Sequence, residues 1–226
     1  MTSIDRRARP STFLGALLAA ACATAPPSTG RPESLPTLAG PVSFDGRSGA
    51  GAWAGARVVD VRGGTVRLGR VDRGIAVRTE TASPSIATLA VAASDRIWLL
   101  HASAALGTGE YRCQADGRCS RTRDFEWSCR DTSDRPEAVA CRDAFLAKEG
   151  WVANVDPEGG RVREFLIQPE RFGGGPPRLV VTVLTLPAAP VSWPVVSDDA
   201  ASLAVQQGAL PEAARFDVAR WLDVPR

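Results

Sequence analysis

The sequence is short of the residues that most often carry catalysis and metal binding. His101 is its only histidine, Lys148 its only lysine and Met1 its only methionine. A lone histidine cannot complete a zinc site of the Cys/His type, and no two cysteines have the close spacing of a structural zinc site. We therefore expect neither a bound metal nor another cofactor.

An excess of one charge and a long apolar run are missing as well. The segment before Cys22 carries a small positive excess, and the rest of the chain has equal numbers of basic and acidic residues. A neutral chain has no basic face for nucleic acid, so nucleic acid is not an expected partner. No apolar run reaches the ~18 residues that a membrane-spanning helix needs.

The first residues have the layout of an export signal. Arg6, Arg7 and Arg9 precede a short apolar stretch that runs from Phe13 to Ala21. A positive segment followed by an apolar segment of this length is typical of secretory signals. The sequence therefore predicts a signal peptide over residues 1–21.

The end of this signal carries a lipoprotein-like motif. The run Ala19-Ala20-Ala21-Cys22 resembles the lipobox of bacterial lipoproteins, with Ala19 at a place where that family prefers leucine. The resemblance implies that Cys22 is acylated and anchors the protein in a membrane of the cell envelope, facing the periplasm or the cell surface. The alternative is ordinary signal-peptidase cleavage near Ala21 to Ala25, which leaves a soluble secreted protein.

The rest of the chain divides into a tether and one folded domain. Residues 22–38 are rich in proline, serine and threonine, which favours an extended tether. Short alternating apolar segments separated by turns then predict a mainly β fold, a single antiparallel β-sandwich over residues 39–226. The run Ile97–Leu100 predicts a strand buried on both faces, and Leu179–Leu186 predicts a central strand.

Three further elements are predicted from local signals. Residues 123–129 should form a strand with Phe125 and Trp127 on one face. A helix near 134–149 should begin at a cap formed by Ser133 or Asp134 and end before Gly150. A short helical segment is expected near the C-terminus, from residue 198 onwards.

The cysteines after Cys22 predict a disulfide framework. Cys113, Cys119, Cys129 and Cys141 are an even number in an exported chain, and three pairings are possible. We favour Cys113 with Cys119 across a hairpin, and Cys129 with Cys141 between a strand and the helix. Each bond should add about 2–3 kcal/mol to the free energy of unfolding.

Two sets of side chains are candidates for catalysis, and neither is convincing. His101 and Ser103 could share a face of one strand, but no G-x-S-x-G motif surrounds Ser103. Asp124 and Glu126 share a face of the next predicted strand, and paired carboxylates can hydrolyse glycosides. A structural histidine and a solvated strand face explain the two sets more simply, so no catalytic residue is predicted.

A second resemblance concerns the start of the folded domain. Phe44-Asp45-Gly46, followed by Ala52-Trp53-Ala54-Gly55-Ala56, resembles the opening of family 9 carbohydrate-binding modules and of DOMON-type sandwiches. The resemblance implies a jelly-roll-like sandwich that binds a sugar or haem. Haem lacks its usual axial pair here, because the exported chain has no methionine and one histidine. Stacking platforms for a sugar would be Trp127 and Trp151, with Trp193 as a further possibility.

These observations favour a lipid-anchored, non-catalytic binding module of the cell envelope, with a glycan as its ligand. One alternative is an assembly protein that recognises an envelope protein through a surface patch. The other alternative is an envelope hydrolase that uses His101 or the pair Asp124 and Glu126.

Overall fold

The computed structural model describes residues 34–47, 49–157, 159–173, 175–195 and 208–224. They form two antiparallel sheets, one of five strands in the order β1-β2-β3-β9-β8 and one of eight strands in the order β11-β10-β4-β5-β6-β7-β12, with β13 pairing to β10. We call them sheet A and sheet B. The predicted antiparallel β-sandwich with one helix is confirmed.

The chain forms the strands of the two sheets in blocks, first several of one sheet and then several of the other. Sheet A contains β1 (Arg57–Val61), β2 (Gly64–Val71), β3 (Gly74–Thr81), β8 (Trp151–Val155) and β9 (Val162–Ile167). Sheet B contains β4 (Ser85–Ala93), β5 (Arg96–Ala102), β6 (Leu106–Cys113), β7 (Arg118–Arg123), β10 (Arg178–Thr185), β11 (Val191–Trp193), β12 (Ala213–Arg215) and β13 (Leu222–Asp223). Helix α1 (Pro136–Glu149) precedes β8, and short 3-10 helices cover Ala50–Trp53, Pro169–Phe172 and Val218–Arg220.

The outer face of sheet A is covered by the chain that precedes β1. Side chains alternate along β8 and β9, and Trp151 on β8 points at sheet B, where its Nε1 donates to Oγ1 of Thr108 at 2.8 Å. Glu164 therefore lies on the opposite face, where it binds the backbone N–H of Gly46 and the indole of Trp53. We call residues 34–56 the N-terminal arm.

The arm begins earlier than the predicted tether allows. Leu35 and Leu38 are buried, and the N–H of Leu38 donates to the carbonyl of Arg70 at 2.9 Å. Strand β1 pairs with β2 only as far as Leu68, so this stretch of the arm continues the edge beyond β1. The last residues of the predicted tether therefore belong to the folded domain, because two leucines gain burial there.

The outer face of sheet B is covered by the end of the chain. Tyr111 on β6 donates its hydroxyl hydrogen to the carbonyl of Pro211 at 2.7 Å, and its ring meets the ring of Phe216 edge-on at 5.4 Å. The described part of the tail contains β12, a 3-10 turn and β13. The helix expected from residue 198 lies largely outside the described residues.

The local predictions around the cysteines are partly corrected. Helix α1 begins at Pro136 with Arg135 at the cap position instead of Ser133 or Asp134, and the side chain of Arg135 makes no capping hydrogen bond. Gly150, with φ 75°, ends the helix as predicted. The disulfides Cys113–Cys119 and Cys129–Cys141 are both present, as favoured from the spacing.

One strand prediction is wrong, and a second is corrected in position. The strand predicted over residues 123–129 does not form, because β7 ends at Arg123 and the residues after it make one isolated bridge, Ser128 with Leu106. Strand β10 is an interior strand between β4 and β11, but it lies second from the edge of sheet B. The strand Arg96–Ala102 is buried as predicted, except at Arg96 and at the partly exposed Trp98.

Candidate ligand-binding site

A polar pocket opens beside β8, the edge strand of sheet A, where sheet B extends beyond it. It has a volume of ≈ 320 Å³, and its lining joins β5, β6 and β7 to the end of α1 and the turn before β10. We call it the Trp98 pocket, and it is lined by Trp98, Thr108, Arg123, Lys148, Glu149, Glu170, Arg171 and Phe172. This volume is at the small end of ligand sites, which run from about 300 to 1,000 Å³.

Trp98 supplies the aromatic surface of the pocket. It alternates with the buried Ile97 and Leu99 along β5, so it points to the side of sheet B that carries Thr108. Its ring meets the ring of Phe172 at 5.4 Å with an interplanar angle of 75°. Phe172 is buried and holds the indole in place, while part of Trp98 remains open to solvent.

An arginine–glutamate pair forms the polar wall beside this tryptophan. Both Nη atoms of Arg123 donate to the carboxylate of Glu149 at 2.8 Å, which is the paired geometry typical of strong charge-assisted bonds. Burial by itself raises the pKa of Glu149, but the hydrogen bonds and charge of Arg123 outweigh it and lower that pKa. The bond to Glu149 in turn raises the pKa of Arg123. Both groups therefore stay charged at neutral pH.

The pair is held by the core behind it. Thr108 is buried, accepts a hydrogen bond from the indole of Trp151, and its hydroxyl also favours the charged form of Glu149. The side chain of Glu149 is 6% exposed. A buried, fully hydrogen-bonded carboxylate has little freedom to move, so the wall is rigid before any ligand arrives.

The remaining charges stand at the mouth of the pocket. Nη2 of Arg171 donates to the last carbonyls of α1, those of Ala147 and Lys148, at 3.1 and 3.2 Å. The ammonium of Lys148 lies 3.5 Å from Glu149. Among the described residues Glu170 is exposed and has no ion-pair partner, so its carboxylate is available to a ligand.

Of the two predicted stacking tryptophans, Trp151 cannot contact a ligand. Its exposed fraction is 0%, and it packs between the rings of Phe145 and Phe165 at 5.2 and 6.1 Å. Its assignment as a ligand platform is therefore corrected. Trp151 begins a strand directly after the helix, and that position places it between α1 and both sheets.

Trp127 is partly exposed but already stacked. Its ring lies 4.9 Å from that of Phe125 at 29°, and 5.3 Å from the ring of His101. A side chain at Gly107 would come within 3.0 Å of this indole, so the ring rests directly on the backbone of β6. Trp193, the further possibility, lies beneath the guanidinium of Arg57 at 5.0 Å.

His101 is part of the packing of sheet B. It is 2% exposed, and its Nδ1 lies 2.9 Å from Oγ1 of Thr88 on the neighbouring strand. Burial lowers the pKa of His101 to about 4, with a further contribution from the charge of Arg163. Among the contacts of His101 in the described part of the chain, neither Ser103 nor a carboxylate occurs.

The carboxylates of Asp124 and Glu126 bind different partners. Asp124 accepts hydrogen bonds from Arg121 and from the backbone N–H of Leu210, which ties the end of the chain to β7. Glu126 is exposed and lies 3.6 Å from Arg123. These contacts explain both carboxylates as structural groups.

The motif around Asp45-Gly46 and Trp53 has a structural role that the sequence did not reveal. Its Gly46 N–H and Trp53 Nε1 both donate to the carboxylate of Glu164 at 3.0 Å, and Nη1 of Arg78 binds the same carboxylate at 3.0 Å. Glu164 is fully buried, so these donors replace its water. Glu164 was missed because its neighbours in sequence belong to an ordinary buried strand.

Sequence reasoning also missed Trp98 as a pocket-lining side chain. The continuous apolar run Ile97–Leu100 indicated burial on both faces, and nothing local distinguishes Trp98 from its neighbours. The other side chains that line the pocket come from β6, β7, the end of α1 and the 3-10 helix Pro169–Phe172, all of which lie further along the chain than Trp98.

No group of histidine, cysteine, aspartate or glutamate side chains in the described ranges has the arrangement of a metal site. No helix within those ranges has the length and apolar character needed to cross a membrane. Comparisons of the chain with protein-family models, with curated proteins and with solved structures found no match.

Proposed function

We propose that this chain is a non-catalytic binding module of the cell envelope that holds a sugar unit in the Trp98 pocket. The observation that carries the proposal is the partly exposed indole of Trp98 beside the rigid pair of Arg123 and Glu149. A sugar ring has an apolar face that stacks on an indole and hydroxyl groups that bind charged side chains. The volume of ≈ 320 Å³ suits a single ring.

The state of Glu149 supports binding without turnover. The carboxylate of Glu149 is engaged by Arg123 and Thr108 and has a lowered pKa, so it is a poor proton donor. A general acid for glycoside hydrolysis needs a raised pKa. Glu149 therefore orients a hydroxyl group instead of protonating a leaving group.

The test is a glycan and peptidoglycan binding panel with the full-length chain, followed by titration of any ligand found. Trp98→Ala should weaken binding by about 2- to 10-fold, since an aromatic contact contributes about 0.5–1.5 kcal/mol beyond its burial. Trp98→Phe should weaken it less, and near-native circular dichroism would show that both variants fold.

Trp127→Ala is the matched control. Trp127 is also half-buried, but it stacks on Phe125 at the outer face of sheet B, away from the pocket lining. Its removal should leave glycan affinity unchanged. The proposal fails if no glycan in a broad panel binds, or if Trp127→Ala weakens binding and Trp98→Ala does not.

The envelope location belongs to the same proposal. It rests on the signal-like segment and on Cys22, which lie outside the described residues. Two disulfides in the folded domain support an oxidising compartment, since such bonds persist mainly in exported proteins.

A further inference from the structure

A second and larger groove lies at the end of sheet B, on the opposite face of β5 from the Trp98 pocket, since Ile97 lines the groove and Trp98 lines the pocket. It has a volume of ≈ 1040 Å³ and runs between the β4–β5 turn, the β6–β7 hairpin and the segment after β12. We call it the hairpin groove. Part of its lining is apolar: Ala92, Ala93, Ile97, Pro176, Phe216 and Val218. This volume is at the upper limit of small-molecule sites, which suits an extended chain.

Charged side chains line the rest of the groove, and nearly all of them are already paired. Each acidic group of the lining or its immediate shell binds an arginine: Asp95 with Arg112, Glu110 with Arg96, Asp116 with Arg118, Asp217 with Arg220, and Asp223 with Arg178. These pairs satisfy one another, so they provide no net attraction for a charged ligand.

Arg215 also lines the groove, and it belongs to none of these pairs. Within the described part of the chain its guanidinium has neither an ion-pair partner nor a hydrogen bond, although it lines the groove and is exposed. Arg215 stands directly opposite Arg118 in the pairing of β12 with β7. Asp116 is the carboxylate near both, and it is hydrogen-bonded to Arg118.

Two like charges on opposing residues repel, and one carboxylate cannot neutralise both. A guanidinium in this position gains from a second carboxylate, which it can bind with two parallel hydrogen bonds. The groove thus combines an apolar floor with one unmatched positive group at its side. That combination matches a chain with apolar side chains and one carboxylate.

We infer that the hairpin groove binds an extended peptide segment of another protein, with apolar side chains on its floor and a carboxylate on Arg215. The carboxylate belongs either to the C-terminus of the peptide or to an aspartate or glutamate side chain. This binding does not depend on the sugar site, because the two linings share no residue.

The probe is an immobilised array of ten-residue peptides with alternating apolar side chains, incubated with the full-length protein. One arm carries free C-termini, a second carries the same peptides as C-terminal amides, and a third carries amides with one internal glutamate. Binding in the first arm alone identifies a terminal carboxylate. Binding in the first and third arms identifies any carboxylate. Either result supports the inference.

Four variants complete the test. Arg215→Gln should weaken binding to the selected peptides by at least about tenfold, as expected for a charge-assisted pair, and Arg215→Lys should weaken it less. Arg62→Gln is the control, because Arg62 is an exposed arginine in the β1–β2 turn of sheet A and lies outside the groove lining. Trp98→Ala should leave peptide binding intact.

The inference is overturned if no carboxylate-bearing peptide binds, if the plain amides bind equally well, or if Arg215→Gln and Arg62→Gln have the same effect. None of these outcomes bears on glycan binding in the Trp98 pocket. A failure of the glycan panel with a positive peptide array would instead leave a protein-binding module.

Discussion

Glu164 shows how much one buried carboxylate can organise. It joins the N-terminal arm to sheet A through Gly46 and Trp53, and it neutralises Arg78, whose side chain is 13% exposed. Removing one partner of a buried ion pair leaves the other charge without compensation, which costs more than the pair itself contributes. This single residue therefore holds the first part of the folded chain on its sheet.

Glu164→Gln should lower the free energy of unfolding by about 3 kcal/mol, because Arg78 loses its buried counter-charge. Glu80→Gln is the matched control, since Glu80 binds the same guanidinium at 3.3 Å but is 47% exposed. That change should cost about 0.5 kcal/mol or less. Urea denaturation measures both, and equal losses would contradict the assigned role.

His101 should make stability depend on pH. Burial lowers the pKa of His101 in the folded protein to about 4 from an ordinary 6.5. Between these two pH values His101 is protonated in the unfolded chain and neutral in the folded chain. The stabilising contribution is complete above pH 6.5, decreases as the pH falls towards 4, and changes no further below that value.

The pKa difference corresponds to about 3 kcal/mol between neutral pH and pH ~4. His101→Gln should remove this part of the pH dependence. Titrations of the carboxylates are common to both proteins and cancel in the difference between their stability curves. Parallel curves for the two proteins between pH 7 and pH 4 would refute the prediction.

At the scale of elements, the Asp45-Gly46 turn of the arm is shaped by what it contacts. Gly46 has φ +76°, and a Cβ atom there would lie 2.6 Å from the backbone of Val155 and Asp156 at the end of β8. Gly63, in the β1–β2 turn, has φ +85° and nothing within 4 Å. The two glycines share a backbone conformation and differ in their surroundings.

Gly63→Ala should therefore cost about 1 kcal/mol of unfolding free energy, the ordinary penalty of a left-handed conformation. Gly46→Ala adds a clash with backbone and should cost about 1–3 kcal/mol more. Thermal or urea unfolding of the two variants measures both losses of unfolding free energy. If both substitutions cost the same, the arm does not press on β8 as described.

At the scale of the whole molecule, both ends of the described part of the chain cover a sheet. The N-terminal arm lies on sheet A, and the tail from residue 208 lies on sheet B. A β-sandwich normally exposes the outer faces of its sheets, and here both carry buried apolar clusters. The open surfaces available to ligands are thus at the sheet ends, where the Trp98 pocket and the hairpin groove lie.

Anchoring is a prediction about the whole molecule. Cys22→Ser should move the protein from the membrane fraction to the soluble fraction of exporting cells, because the variant lacks the cysteine whose acylation would anchor it. Fractionation followed by immunoblotting measures the change. If the wild-type protein is itself wholly soluble after export, the lipid anchor is wrong.

The sequence by itself determined the local elements and the cross-links. Alternation in β2 and β3, the glycine that ends α1, and the cysteine spacing all act over a few residues. A tight turn brings Cys113 beside Cys119 whatever the rest of the chain does, since they oppose each other in the β6–β7 hairpin. The fold class followed because many short strands leave few alternatives to a sandwich.

Only the tertiary structure decided which side chains are covered. Period-two alternation says that two faces exist, but it does not say which face meets another layer. Trp151 begins β8 and Trp98 lies near the start of β5, yet Trp151 is fully buried and Trp98 is partly open. Glu164 and Gly46 are 118 residues apart, and their contact arises only when the arm folds back over sheet A. Burial and site geometry depend on such long-range contacts, and no local pattern in the sequence encodes them.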